Sequence, residues 1–129
     1  MSEEKNQYLE LIKLFLPAEI FEYFELIKLE VKEDEIHAYL DEENNPPSGY
    51  DSEKLTSKGF HSNITIQDFP IRDKPLFLHV RRRRWLIESS GEVISRDWNT
   101  VAKGTRLTKD FATFLKGLLV GPTFFLLAE

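Results

Sequence analysis

Four consecutive arginines, Arg81, Arg82, Arg83 and Arg84, stand between the apolar run Leu76-Phe77-Leu78-His79-Val80 and Trp85. A guanidinium is a planar fork of N–H donors that matches the oxygens of a phosphate, so the chemistry on offer is phosphate binding. Lys103, Arg106 and Lys109 follow near the start of a predicted helix, where free backbone N–H groups add to the pull on an anion. Arg72, Lys74 and Arg96 are candidates for the rim of the same patch. Two other uses of the run compete with this one. The arginines can pair with the chain's own carboxylates, or they can blunt an exposed strand edge.

The charge distribution bears on that choice. The formal net charge is −5, but residues 1–69 hold 6 Lys/Arg against 16 Asp/Glu, and residues 70–129 hold 11 against 6. A basic half of this kind points to a polyanion, and the arginine set with Lys103, Arg106 and Lys109 is the expected DNA contact. The acidic half supplies carboxylates enough for internal pairing instead.

Other chemistries have little to draw on. There is no cysteine, which removes disulfides, thiol nucleophiles and the common structural zinc sites. The three histidines, His37, His61 and His79, are not spaced as a ligand pair on one element. No base, orienter and nucleophile assemble in the sequence, and there is no Gly-rich phosphate loop. The expectation is a chain that is not an enzyme, with no cofactor, no metal and no evident small-molecule substrate. His79, between Leu78 and Val80, reads as structural, and Trp85 and Trp98 read as core anchors rather than stacking platforms for bases. The polar, acidic N-terminus is unlike a signal peptide, and no apolar run approaches the roughly 20 residues that span a bilayer. A cytoplasmic chain with no membrane partner is expected.

The elements that must position these residues are legible as patterns. The 129 residues suit a single domain. Ser2 to Leu16 reads as a helix with Tyr8, Ile12 and Phe15 on one face, and Pro17 opens a second helix through Phe24. Ile27-Leu29-Val31 and Ile36-Ala38-Leu40 alternate with polar residues around the turn Glu33-Asp34-Glu35, which predicts an acidic antiparallel hairpin within 1–45. Residues 46–60, rich in Asn, Pro, Ser and Gly, are expected to be a loop. Residues 61–119 predict a strand ending at Pro70, a turn at Arg72-Asp73-Lys74, a basic hairpin turned at Gly91, and a helix. Thr105 or Thr108 caps that helix, Phe111, Phe114, Leu115 and Leu118 form its buried stripe, and Gly117 with Gly121-Pro122 ends it. Residues 120–129 form an apolar tail. The class is α+β: N-terminal helices, an antiparallel meander of about five strands, and a C-terminal helix.

Within the basic strand, strict alternation from Leu76, Leu78 and Val80 places Arg82 and Arg84 in the core, where unpaired guanidiniums are untenable. Either the strand leaves the core after Val80 or a bulge shifts the register. The bulge is the expected solution, since it returns Trp85 and Ile87 to the core, and with either solution Arg81 and Arg83 project together, largely exposed.

Residues Ile66 to Leu118 resemble the N-terminal region of a group of bacterial insertion-sequence transposases. The resemblance lies in Asp68-Phe69-Pro70, the run Leu76 to Val80, and Arg83-Arg84-Trp85, followed by a segment from Gly104 to Leu118 similar to the lead-in to the family's helix-turn-helix. In some members this leader is a separate short reading frame, whose length this chain resembles. The resemblance implies a DNA-binding accessory module that acts beside a separately encoded catalytic transposase subunit. Relatives carry zinc-ribbon cysteines near the arginine-aromatic segment. They are absent here, and Trp85, Ile87, Val93, Ile94 and Trp98 are the expected apolar substitute. The family's catalytic acidic triad belongs to a domain outside this segment, and only one clear helix is predicted after the hairpin. A protein-docking module using the tail Phe124–Leu127 and a sheet edge is the alternative, and an inactive transposase remnant is a further one.

Overall fold

The computed structural model describes residue 7, residues 10–104 and residues 108–127, those from 120 onward as backbone only. The architecture is α+β. Residues 10–13 are helical, a short 3-10 helix spans Ala18–Glu22, and then come seven strands and two helices. The strands are β1 (Phe24–Val31), β2 (Ile36–Glu42), β3 (Leu55–Phe60), β4 (Ile64–Ile71), β5 (Lys74–Arg81), β6 (Arg83–Ile87) and β7 (Val93–Ser95). The helices are α1 (Trp98–Gly104) and α2 (Lys109–Leu127).

The expected five-strand meander is replaced by two sheets. The first has four strands in the order β1-β2-β5-β4, and the second has three in the order β3-β6-β7. The acidic hairpin forms as expected, its turn closed by the Lys32 N–H donating to the Glu35 carbonyl at 2.8 Å. β2, however, pairs in parallel with β5, from Ile36 opposite Leu76 to Asp41 opposite Arg81. Alternation shows that a segment is a strand but not which neighbour it takes. Here the chain leaves for β3 after β2, so the free side of β2 is taken by the apolar row of β5. Ala38, Leu40, Leu76, Leu78 and Val80 are buried at that junction.

The expected loop over 46–60 holds β3. Its residues are mostly polar and exposed in alternation, and it exists because β6 offers a partner: Leu55, Thr56 and Ser57 stand opposite Ile87, Leu86 and Trp85. Pairing of this kind overrides weak strand propensity. Gly59, with φ of 87°, relieves a register shift between Ser57 and Phe60. β4 also runs through Pro70 instead of stopping there, which is tolerated because β4 is an edge strand. Arg72 and Asp73 both take positive φ, and this two-residue turn fixes the β4–β5 hairpin.

One face of the first sheet is the core. Phe24, Leu26, Ile66, Leu78 and Val80 pack against Phe111, Phe114, Leu115 and Leu118 of α2, with Leu16, Ile20 and Trp98 closing the rim. Each such side chain contributes about 1.5–3 kcal/mol by leaving water. Phe24 stacks on Trp98 at 5.3 Å and meets Phe114 edge-on at 5.7 Å. The predicted stripe of α2 is therefore the buried one. Its cap is Thr108, whose Oγ1 accepts the Phe111 N–H at 3.2 Å. Thr105, Ser2 and Tyr8 lie outside the described residues.

The helix does not end at Gly117 or Gly121-Pro122, since its backbone is helical to Leu127. Gly117 has a packing role: a Cβ there would stand 3.0 Å from Ile66 Cγ2, so the missing side chain brings α2 close to β4. Two helices follow the hairpin where one was expected. α1 is short and is capped by Asp97, whose Oδ1 accepts the Asn99 N–H at 3.0 Å. Among the described residues no helix is long and apolar enough to cross a membrane.

Candidate nucleic-acid interface

The arginine run marks the place where the chain crosses from one sheet to the other. β5 ends at Arg81, Arg82 belongs to neither sheet, and β6 begins at Arg83. This break resolves the register conflict. It restores Trp85 and Ile87 to buried positions, as the bulge alternative required, but on the second sheet. The expected apolar cluster is only partly realised. Trp85 and Ile87 are buried, whereas Val93 is exposed and Trp98 joins the main core.

The crossing is held by Glu42 at the end of β2, which is buried to 1% exposure. Its Oε1 accepts the Arg83 N–H at 2.9 Å, its Oε2 accepts Arg96 Nε at 2.8 Å, and its carbonyl accepts Arg83 Nε at 3.0 Å. Arg96 also donates to the Asn45 carbonyl, and its guanidinium lies within 6 Å of the rings of Tyr23, Trp85 and Trp98 (5.3, 5.7 and 5.8 Å). Arg96 is thus removed from the expected phosphate rim, because it is the half-buried counter-charge of Glu42. Burial pushes the Glu42 carboxyl up, against the opposing pull of Arg96 and of the Arg83 N–H.

The four arginines divide by position. Arg81 Nε and Nη2 donate to the two oxygens of Asp41 at 2.7 and 2.6 Å, a bidentate pair across the parallel strands. Arg83, half-buried, donates Nη1 to Ser57 Oγ at 2.5 Å in addition to its Glu42 bonds. Both guanidiniums lie over the Phe60 ring, at 4.2 and 4.5 Å. They project together, as expected, but only Arg81 is largely exposed. For Arg81 the fold has built pairing with a carboxylate of the acidic half, and for Arg83 it has built hydrogen bonds to the Glu42 carbonyl and the Ser57 hydroxyl.

Arg82 and Arg84 are different. Among the described residues neither forms an ion pair, and the Nε atoms of both are buried without a hydrogen-bond partner. Arg84 Nη2 reaches only the Lys58 carbonyl, at 3.2 Å. A buried donor left unpaired costs about 1–3 kcal/mol, so the chain keeps these two charges at some expense.

His61, outside the expected set, stands with them. Its N–H donates to the Arg82 carbonyl at 2.8 Å, and its Nε2 lies 2.6 Å from Ser95 Oγ, where Ser95 faces Arg84 across β6 and β7. Burial pushes the His61 imidazole below its ordinary value, and the Arg82 and Arg84 guanidiniums push it the same way. No local spacing signals this group. It is assembled by the β3–β6 and β6–β7 pairings from residues 61, 82, 84 and 95.

Of the remaining expected contacts, Lys103 is exposed on α1 and Lys109 is exposed at the first turn of α2. Both stand on helices of the core side rather than on the second sheet. Arg106 lies outside the described residues. Arg72 is exposed at the β4–β5 turn and Lys74 is half-buried beside it.

The other face of the first sheet carries a separate polar ladder. His37 Nδ1 lies 2.7 Å from His79 Nε2 on the adjacent parallel strand. Glu35 contacts His37 at 2.9 Å and Thr65 contacts His79 at 3.1 Å. Burial pushes His79 down, and the charge of His37 adds to that. The fold therefore pairs two histidines that sequence spacing kept apart. No third ligand joins them, and among the described residues no group of three or more His, Cys, Asp or Glu could hold a metal. All four ring nitrogens of the two histidines find a neighbour, which fits the structural reading of His79.

Comparison with family models, with curated proteins and with solved structures finds no match for the chain.

Proposed function

We propose that the chain is a non-catalytic DNA-binding accessory module of a transposase, touching DNA phosphates through the even-numbered arginines of its crossing strand, Arg82 and Arg84. The observation that carries this is that among the described residues neither forms an ion pair and the Nε of each is buried without a hydrogen-bond partner, while Arg81 is paired with the Asp41 carboxylate and the Arg83 guanidinium is hydrogen-bonded by the Glu42 carbonyl and Ser57. An acidic chain that gives Arg81 a carboxylate, bonds Arg83 to neutral acceptors and leaves Arg82 and Arg84 without an ion pair among the described residues has kept a local positive field, and phosphate is the anion it suits best. The transposition context rests on the resemblance of residues 66–118 and places the protein in the cytoplasm beside a separately encoded catalytic subunit. Lys103, Arg106 and Lys109 would extend the contact as outer phosphate partners.

A docking role on that subunit is the second reading. Leu11, Leu14 and Phe15 favour it, since they are 57%, 79% and 54% exposed on the N-terminal helical segment and the turn that follows it. The expected docking tail, Phe124–Leu127, is helical in backbone, and its side chains lie outside the described residues.

The test is fluorescence anisotropy of a labelled short duplex at low salt. A complex that weakens steeply as salt is added supports the DNA reading, and no complex at low salt contradicts it.

A further inference from the structure

Resting on that reading and sharpening it, we infer that Arg82, Arg84, His61 and Ser95 form a discrete site for one tetrahedral oxyanion on the second sheet. The four residues are brought together from separate elements: Arg84 of β6 stands opposite Ser95 of β7, Ser95 contacts His61 of the β3–β4 connection, and the His61 backbone N–H bonds the carbonyl of Arg82 at the crossing. A planar carboxylate engages one guanidinium fork in one plane. A tetrahedral anion presents oxygens in several directions and matches donors that are not coplanar.

The internal geometry fits this. His61 Nε2 lies 2.6 Å from Ser95 Oγ. With its proton on Nε2, the imidazole donates to that oxygen and leaves the serine hydroxyl proton free for an outside acceptor. The two guanidiniums have no carboxylate in contact among the described residues, and each keeps an unpaired Nε. Three groups that are positive or can become so thus stand near one another with no ion pair among the described residues, in a chain whose formal net charge is −5. The His61 imidazole is depressed first by burial, and the Arg82 and Arg84 charges push it the same way. A backbone phosphodiester and a free phosphate share the chemistry this cluster recognises.

The experiment is an NMR titration of the three histidine side chains, first with inorganic phosphate and then with a short duplex. Ionic strength is held constant with chloride. Phosphate alone should move the His61 resonances and raise the His61 titration midpoint, leaving the His37–His79 pair in place as an internal reference. Arg82→Ala and Arg84→Ala should each weaken phosphate binding about tenfold. Ser95→Ala, the mildest change, should weaken it severalfold while keeping the native spectrum, so a folding defect is recognisable. If the duplex moves the same His61 resonances, the site lies within the DNA contact. Duplex binding without any phosphate response at His61 overturns the discrete site and leaves the DNA reading standing. A phosphate response with no duplex binding at low salt keeps the site, assigns it to a free oxyanion and contradicts the DNA reading. An equal response to chloride overturns the site as an adventitious charge effect.

Discussion

The Glu42 carboxylate accepts the backbone N–H of Arg83 at 2.9 Å, and Arg83 returns its Nε to the Glu42 carbonyl at 3.0 Å. This reciprocal pair sits where the chain changes sheets. It ties the last residue of β2 to the first residue of β6, and the same carboxylate holds Arg96 at 2.8 Å. The position of the even-numbered arginines depends on it, because Arg82 and Arg84 flank the tethered residue.

Glu42→Ala should therefore be among the most damaging single changes. It leaves the half-buried Arg96 without its counter-charge and the Arg83 N–H without its acceptor, and breaking a buried pair from one side costs about 3–5 kcal/mol. Urea denaturation measures this. A loss below about 1 kcal/mol would show that the crossing is held by packing alone.

Acid should destabilise the fold through its histidines. His61 and His79 have folded pKa values pushed below the ordinary 6.5. The unfolded chain takes up protons first, so stability from keeping them neutral is present above about pH 6.5 and is lost as pH falls through the folded values. Glu42 and Asp68, both raised by burial, act with the opposite sign: the stability they contribute is present below their ordinary values of 4.5 and 3.8 and is lost as pH rises through the raised ones. The difference between the parent and His61→Gln isolates the His61 share, since the carboxylates are common to both. Melting temperatures between about pH 7 and 5.5 should fall less for the variant. Parallel curves for the two proteins would contradict the depressed imidazole.

Gly117→Ala should not stabilise α2, although alanine is worth about 1 kcal/mol over glycine in an exposed helix interior. The new Cβ would stand 3.0 Å from Ile66 Cγ2 and 3.2 Å from its Cγ1. Overpacking of that kind costs about 1–3 kcal/mol, so the net change should be a loss of up to about 2 kcal/mol. A rise in melting temperature would mean that α2 can lift from β4 without penalty.

The elements set by local period were legible, and those set by partner choice were not. The β1–β2 hairpin, the α2 stripe from Phe111 to Leu118, the Thr108 cap and the burial of Trp85 and Ile87 all follow from alternation, helical spacing or capping chemistry. β3 was hidden because Leu55–Phe60 has little apolar content and becomes a strand only against β6. The parallel β2–β5 pair was hidden because strand direction is a property of the connection, not of either sequence. The same limit applied to the site. The arginine run stood out as charge, but its division needed Asp41, Glu42 and Ser57 from distant segments. His61 and Ser95 joined it only through sheet pairing. Arg96, read as rim, is half-buried at the sheet crossing because Glu42 and three aromatic rings surround it.

The division of the arginine run is tested most directly by the salt dependence of duplex binding in single alanine variants. For B-form DNA the slope of log K against log salt is about −0.9 per phosphate neutralised. Arg82→Ala and Arg84→Ala should each flatten the slope by about 1 with little change in folding stability. Arg83→Ala should lower stability by about 1–3 kcal/mol through its lost Glu42 and Ser57 bonds. Arg81→Ala, breaking a pair that is partly solvated, should cost no more than about 1 kcal/mol, and both should leave the slope close to the parent value. The account is contradicted if Arg81→Ala and Arg83→Ala flatten the slope while Arg82→Ala and Arg84→Ala leave it unchanged.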